Sequence, residues 1–221
     1  SSKKAEQNKV WVGLSKETAH QLGTPISSLM AWLEVLPTQG TDPEIVSDMG
    51  KDVQRLSVIA ERFSKIGSQP EREPADVAEV INTAVEYMRH RISGRVQINV
   101  HTPDSKMEAQ PLCRPLMEWV FENLCKNAID AMDGQGSIDI SLTYNDSRYY
   151  IDIKDTGKGI ARNRFKTIFH PGYTTKRRGW GLGLTLVKRI VEEYHEGRIF
   201  VKESEIGKGT TFRIEMKRTI T

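Results

Sequence analysis

Long hydrophobic runs are missing from this 221-residue chain. No stretch approaches the ~20 apolar residues that cross a bilayer, and no signal peptide is visible, so no membrane span is expected within it. Cysteine is nearly absent. Cys113 and Cys125 are the only two, and they form neither a metal spacing nor a disulfide framework, which points to a reducing, cytoplasmic setting. An excess of one charge is missing as well: 32 Lys and Arg against 29 Asp and Glu leave a net +3. With no Lys- or Arg-rich run, no nucleic-acid partner is expected. Internal repeats and low-complexity tracts are also lacking. What is present is 38% hydrophobic and 28% charged residues, the composition of a soluble globular chain with one large or two modest domains. The chain opens inside a helical pattern at Ser1 and is expected to be a piece of a longer protein, with a sensor or membrane segment upstream.

Residues 1–67 predict two long helices. Leu22, Ile26, Leu29, Leu33 and Leu36 recur at three- and four-residue steps, one apolar stripe on a helix. Pro37, Gly40 and Pro43 break the pattern, and Asp42 before Pro43 is a helix cap followed by a first-turn proline. Ile45, Met49, Leu56, Ile59, Phe63 and Ile66 then form nearly a heptad seam. A two-helix hairpin cannot cover both stripes by itself, so a homodimeric four-helix bundle is expected.

Residues 68–74 are polar, carry two prolines, and are expected to form the linker. From 75 to 221 the pattern predicts an α/β sandwich, a mixed sheet with helices on one face. Asp76 and Glu79 have capping-box spacing. Val96, Ile98 and Val100 alternate like a strand. Residues 116–132 read as a helix, 138–142 and 150–153 as strands joined at Asn145 and Asp146, and 182–194 as a helix. Strands at 199–201 and 211–214 follow, with a turn at Gly207 and Gly209. The fold class is thus α+β.

Three pieces of this second domain carry chemistry. Asn123 and Asn127 stand four apart on one helical face that Asp130 continues. An amphipathic helix explains much of that pattern, yet neutral amide oxygens also suit magnesium held on phosphates. Asp155 ends an apolar strand, with Gly157 and Gly159 after it. That is an ordinary turn signal, or a carboxylate that accepts from an adenine amino group while the glycines let the base approach backbone. Gly179, Gly181 and Gly183 alternate just before a helix, a spacing unlike the dinucleotide fingerprint but compatible with phosphate at a helix start. Between the last two pieces, residues 160–178 form a long irregular stretch with Lys176, Arg177 and Arg178 at its end, either a solvated loop or a lid over phosphates.

Together the three pieces resemble the ATP-binding domain shared by gyrase, heat-shock chaperones, histidine kinases and MutL. Asn123 to Asn127 is similar to the N box, Asp155 to Gly159 to the first glycine box, Gly179 to Gly183 to the second, and residues 164–169 to the F box. The resemblance implies ATP and Mg2+ as cofactors. It implies that Asn127 ligates magnesium with Asn123 in support, that Asp155 binds adenine, and that Lys176 or Arg177 touches the terminal phosphates. Gly157, Gly159, Gly179, Gly181, Leu182 and Gly183 would complete the nucleotide site. Many relatives carry a base where this chain has Asp130, which shifts phosphate contacts toward the lid.

A lone histidine is usually structural. His20, however, has Thr24 one turn later and Pro25 beside it. The proline removes a helical donor and is expected to bend the helix next to the ring. His20-x-x-x-Thr24-Pro25 on a hairpin resembles the phosphoacceptor motif of sensor histidine kinases in two-component signalling. The resemblance covers essentially the whole chain and implies ATP-dependent autophosphorylation on His20, transfer to an aspartate of a response regulator, and a water-positioning role for Thr24 in the reverse, phosphatase reaction. Family members commonly carry an acid directly after the histidine, where this chain has Gln21. Glu17, within helical reach of His20, is expected to orient the ring instead, unless Gln21 only hydrogen-bonds the imidazole. The competing expectations are an ATPase or chaperone-like member of the same nucleotide-binding family, and an ATP-binding dimerisation scaffold without turnover.

Overall fold

The computed structural model describes residues 2–173 and 183–220. The chain divides into two compact units, residues 1–71 and 72–221.

The first unit is an antiparallel helical hairpin. Helix α1 spans Ser2–Val35 and runs unbroken through Pro25. A 3-10 turn, Leu36–Gln39, reverses the chain and is closed by Gly40 at φ 74°, a left-handed position that costs glycine nothing. Helix α2 spans Pro43–Ser68, and Asp42 caps it by accepting from the Glu44 amide at 2.9 Å. The hairpin packs Ile26, Val53 and Ile66 inside but leaves Trp32, Leu14 and Ile45 at 62%, 61% and 53% exposure. Of the predicted first-helix stripe only Ile26 is buried; Leu29 is exposed. Two helices offer too little partner surface to cover the rest.

The second unit begins with β1 (Glu73–Ala75), so the polar stretch predicted as a linker is shorter: Ser68 still belongs to α2, and Glu73 and Pro74 are already in a strand. Helix α3 (Val77–Arg89) follows, with Asp76 accepting from the Glu79 amide. Then come β2 (Val96–His101), β3 (Gln110–Leu112), α4 (Arg114–Ala131), β4 (Gly136–Tyr144) and β5 (Arg148–Asp155). Beyond two short 3-10 turns lie α5 (Gly183–Arg189), a π-helical turn (Ile190–Tyr194), β6 (Arg198–Glu205) and β7 (Gly209–Lys217). The helix predicted over 182–194 is therefore α-helical only to Arg189; its last turn is wider.

The main sheet has the order β2-β4-β5-β7-β6, with β2 and β4 parallel and every other pair antiparallel. Its register stacks apolar residues in rows: Ile140 opposite Ile153 and Ile153 opposite Phe212, Leu142 opposite Ile151 and Ile151 opposite Ile214. All of these are buried. They form the face on which α4 packs, while the alternating residues, such as Asp152 and Arg213, pair in the outer layer at 2.7 Å. A separate pair, β1 with β3, sets Pro74 opposite Pro111. Among the described residues no helix is long and apolar enough to cross a membrane.

Candidate functional site

The site of the second unit is built where α4 meets the end of β5. Burial on the sheet of Leu116, Val120, Leu124 and Ala128 orients α4. That leaves Asn123 and Asn127 half-buried at the edge of that face and Asp130 exposed. Neither amide makes a side-chain hydrogen bond among the described residues, so both keep their full capacity for a ligand.

Asp155 is only 2% exposed. Its Oδ1 accepts from the Gly157 amide at 2.8 Å and the Thr210 amide at 3.3 Å. Burial raises its pKa above the ordinary carboxylate value, partly opposed by those two amides. No described residue donates to Oδ2, which is left for an external donor.

The glycines here serve the backbone first. A Cβ at Gly157 would lie 2.7 Å from the Ala131 carbonyl oxygen. The Lys158 amide donates to that same oxygen at 2.9 Å, so the turn after β5 is fastened to the end of α4. Gly159, at φ 79°, would press a Cβ into the Glu205 backbone. At both positions neighbouring backbone occupies the space that a Cβ would need. Asn127 lies one helical turn back from Ala131, about 6 Å along the axis, with Asn123 a further turn away. The Gly157–Lys158 turn that follows Asp155 is thus fastened one helical turn from Asn127.

The aromatic segment before the second glycine box is anchored by Phe169. It is buried, edge-on to Phe212 at 6.1 Å, and its carbonyl accepts from Thr185 Oγ1 at 2.9 Å. Lys176, Arg177, Gly179, Gly181 and Leu182 lie outside the described residues. Gly183 opens α5, where a Cβ would meet nothing within 4 Å.

One residue given no chemistry by its spacing has a structural task. His195 is buried; its Nδ1 donates to the Ile190 carbonyl at 2.8 Å, and its Nε2 accepts from the Cys113 amide at 3.0 Å. Only the neutral ring can do both, and burial pushes its pKa down to about 4. It clamps the start of α4 to the π-helical turn.

In the first unit His20 is exposed on α1. It lines a groove with Lys16 and Ala19 of its own helix and Ala60, Glu61, Ser64 and Ser68 of α2. Glu17 is engaged elsewhere: its Oε1 accepts from Gln21 Nε2 at 2.8 Å. Thr24 is exposed.

Residues 114–220 match the family model described as the histidine kinase-, DNA gyrase B- and HSP90-like ATPases. The second unit thus carries an ATP-binding domain of that class. Sensor histidine kinase ZraS of Escherichia coli (strain K12) is 30% identical over 94% of this chain and 46% of its own. Sporulation kinase E of Bacillus subtilis (strain 168) is 30% identical over 92% of this chain and 28% of its own. The nucleotide-free catalytic domain of histidine kinase ThkA superposes with a TM-score of 0.61 at 25% identity, over 68% of this chain and 97% of that one. Within the class, the chain is similar to sensor histidine kinases over nearly its whole length. It spans half or less of the length of these curated relatives.

Proposed function

We propose that this chain is a kinase core that moves the γ-phosphoryl group of ATP to His20 and then to an aspartate of a response-regulator receiver domain. The observation that carries this reading is the presence, in one chain, of an exposed histidine on a helical hairpin and an ATP-binding domain of the histidine kinase type. The solved complex of histidine kinase ThkA with its response regulator TrrA shares this fold, with a TM-score of 0.62 at 21% identity over 97% of this chain and 64% of that one.

Each residue then has a task. Asp155 Oδ2 accepts from the adenine amino group, while Oδ1 is held still by two amides. Asn127, with Asn123 beside it, offers neutral oxygens to magnesium. Among the described residues no three His, Cys, Asp or Glu side chains converge, so amides and phosphates are the donors that fit. Bound there, magnesium would screen the negative charge of the phosphates. Lys176 and Arg177 contact the terminal phosphates, and Asp130 leaves that duty to them. Thr24 orients water when phosphate is removed again. The exposed apolar residues of the hairpin pair with a second copy to complete a four-helix bundle.

Incubation with labelled ATP and magnesium tests the reading. Label should appear on protein, be lost in acid, and vanish in His20→Ala while nucleotide affinity stays within about twofold. Free phosphate without labelled protein would instead make the chain an ATPase; bound, unreacted ATP would make it a scaffold.

A further inference from the structure

An acid is missing directly after His20, and the structure points to where its replacement lies. Two carboxylates are candidates: Glu17, three residues before His20 on the same helix, and Glu61, which lines the same groove as His20. That of Glu17 is occupied by Gln21 Nε2 at 2.8 Å. That of Glu61, on the opposite helix, lines the same groove as His20 and makes no hydrogen bond or ion pair among the described residues.

The packing of the hairpin explains why Glu61 is within reach. Gly67 of α2 sits directly against Lys16 of α1: a Cβ there would lie 3.1 Å from the Lys16 backbone nitrogen and 2.5 Å from its Cγ. Glycine therefore draws the two helices together at this level. Because the helices are antiparallel, four residues on along α1 to His20 corresponds to four residues back along α2, to Phe63. Glu61 is two residues further, an axial offset of about 3 Å. Ala60, Ser64 and Ala19 line the groove between the two helices with small side chains. Lys16, one turn before His20, is the other charged group lining this groove.

We propose that Glu61, reaching across from α2, accepts the proton that His20 gives up on phosphorylation. This rests on the kinase reading above. One ring nitrogen uses its lone pair to form the bond to the γ-phosphorus. The bond from that phosphorus to the bridging oxygen breaks, and its electron pair leaves on ADP. The ring, now cationic, passes the proton of its other nitrogen to the Glu61 carboxylate, which returns it to solvent. The products are neutral-ring phosphohistidine, ADP and one proton. Gln21 keeps Glu17 out of this step.

The test compares Glu61→Gln and Glu17→Gln with the wild-type chain by initial rate of His20 labelling from ATP at pH 6.5 to 9.5. The Glu61→Gln protein should label about 100-fold more slowly near pH 7, with unchanged KM for ATP, and its deficit should narrow as rising pH lets solvent bases take over. A merely structural role would lower the rate equally at every pH. Glu17→Gln should label within about twofold of wild type. Both are exposed, near-isosteric changes, and matching circular dichroism and melting would show that they fold. Wild-type rates in Glu61→Gln across the range, or a loss in Glu17→Gln alone, would overturn the proposal while leaving the kinase reading intact. Absence of label on wild-type His20 would overturn both.

Discussion

Two buried ionisable side chains in the second unit, Asp155 and His195, are held in opposite ways. Asp155 keeps a charge that burial disfavours, as its raised pKa shows. At neutral pH the ionised carboxylate thus costs folding stability, and a ligand donor at Oδ2 offsets that cost. Asp155→Asn keeps an oxygen for the Gly157 and Thr210 amides but puts a donor toward the adenine. ATP affinity should fall at least tenfold, roughly 1.4 kcal/mol or more, while the melting temperature holds or rises; calorimetry and thermal melts read both. His195 must stay neutral. Its pKa is lowered to about 4 against about 6.5 in an unfolded chain. Between those values the unfolded chain binds a proton that the folded one refuses. The stabilisation is complete above about pH 6.5 and is lost as pH falls toward 4, about 3 kcal/mol in all. Urea unfolding of the wild type should weaken across that window more steeply than that of His195→Gln. His20, Asn123, Asn127 and Asp155 stand out in the sequence as candidates because their neighbours lie at fixed short spacings. His195 does not, because its partners are backbone groups, one of them 82 residues away. Glu61 was hidden for the same reason, since its groove exists only once the hairpin has closed.

Elements with a strong period were readable. The alternation of β2, β4 and β5 and the helical faces of α3 and α4 follow from burial on one side of a sheet. Asn145 signalled the β4–β5 turn, and its Oδ1 accepts from the Ser147 and Arg148 amides at 3.0 and 2.9 Å. The three-residue strands β1 and β3 are too short to show a period, and each carries a proline at its centre. The π-helical turn has no pattern of its own; it ends where His195 takes the Ile190 carbonyl. Gly157 was visible after Asp155, but the contact that excludes a Cβ there was not, because it comes from α4. Gly157→Ala should force that turn away from Ala131 and destabilise the second unit by about 1–3 kcal/mol. Because the displaced turn carries Asp155, ATP affinity should fall with it. Chemical denaturation and nucleotide titration on the same variant would check the coupling.

At the scale of the whole molecule, the proposed reading gives each unit one half of a phosphoryl transfer. The hairpin exposes the His20 imidazole; the α/β unit matches the ATPase family model. The apolar residues left exposed on the hairpin are the ones a second copy would cover. Ile45→Lys with Met49→Lys should therefore turn a dimer into a monomer in light scattering, with helix content and ATP affinity unchanged; a wild-type chain that is monomeric at every concentration would contradict the bundle. The central claim is that His20 receives phosphate from ATP. Fragmentation mass spectrometry of the chain after incubation with ATP and magnesium, kept at neutral to alkaline pH throughout, tests it most directly. The account predicts a phosphate on the peptide bearing His20 and none in His20→Ala. Phosphate on another residue, or none on any while ATP is bound, would contradict it.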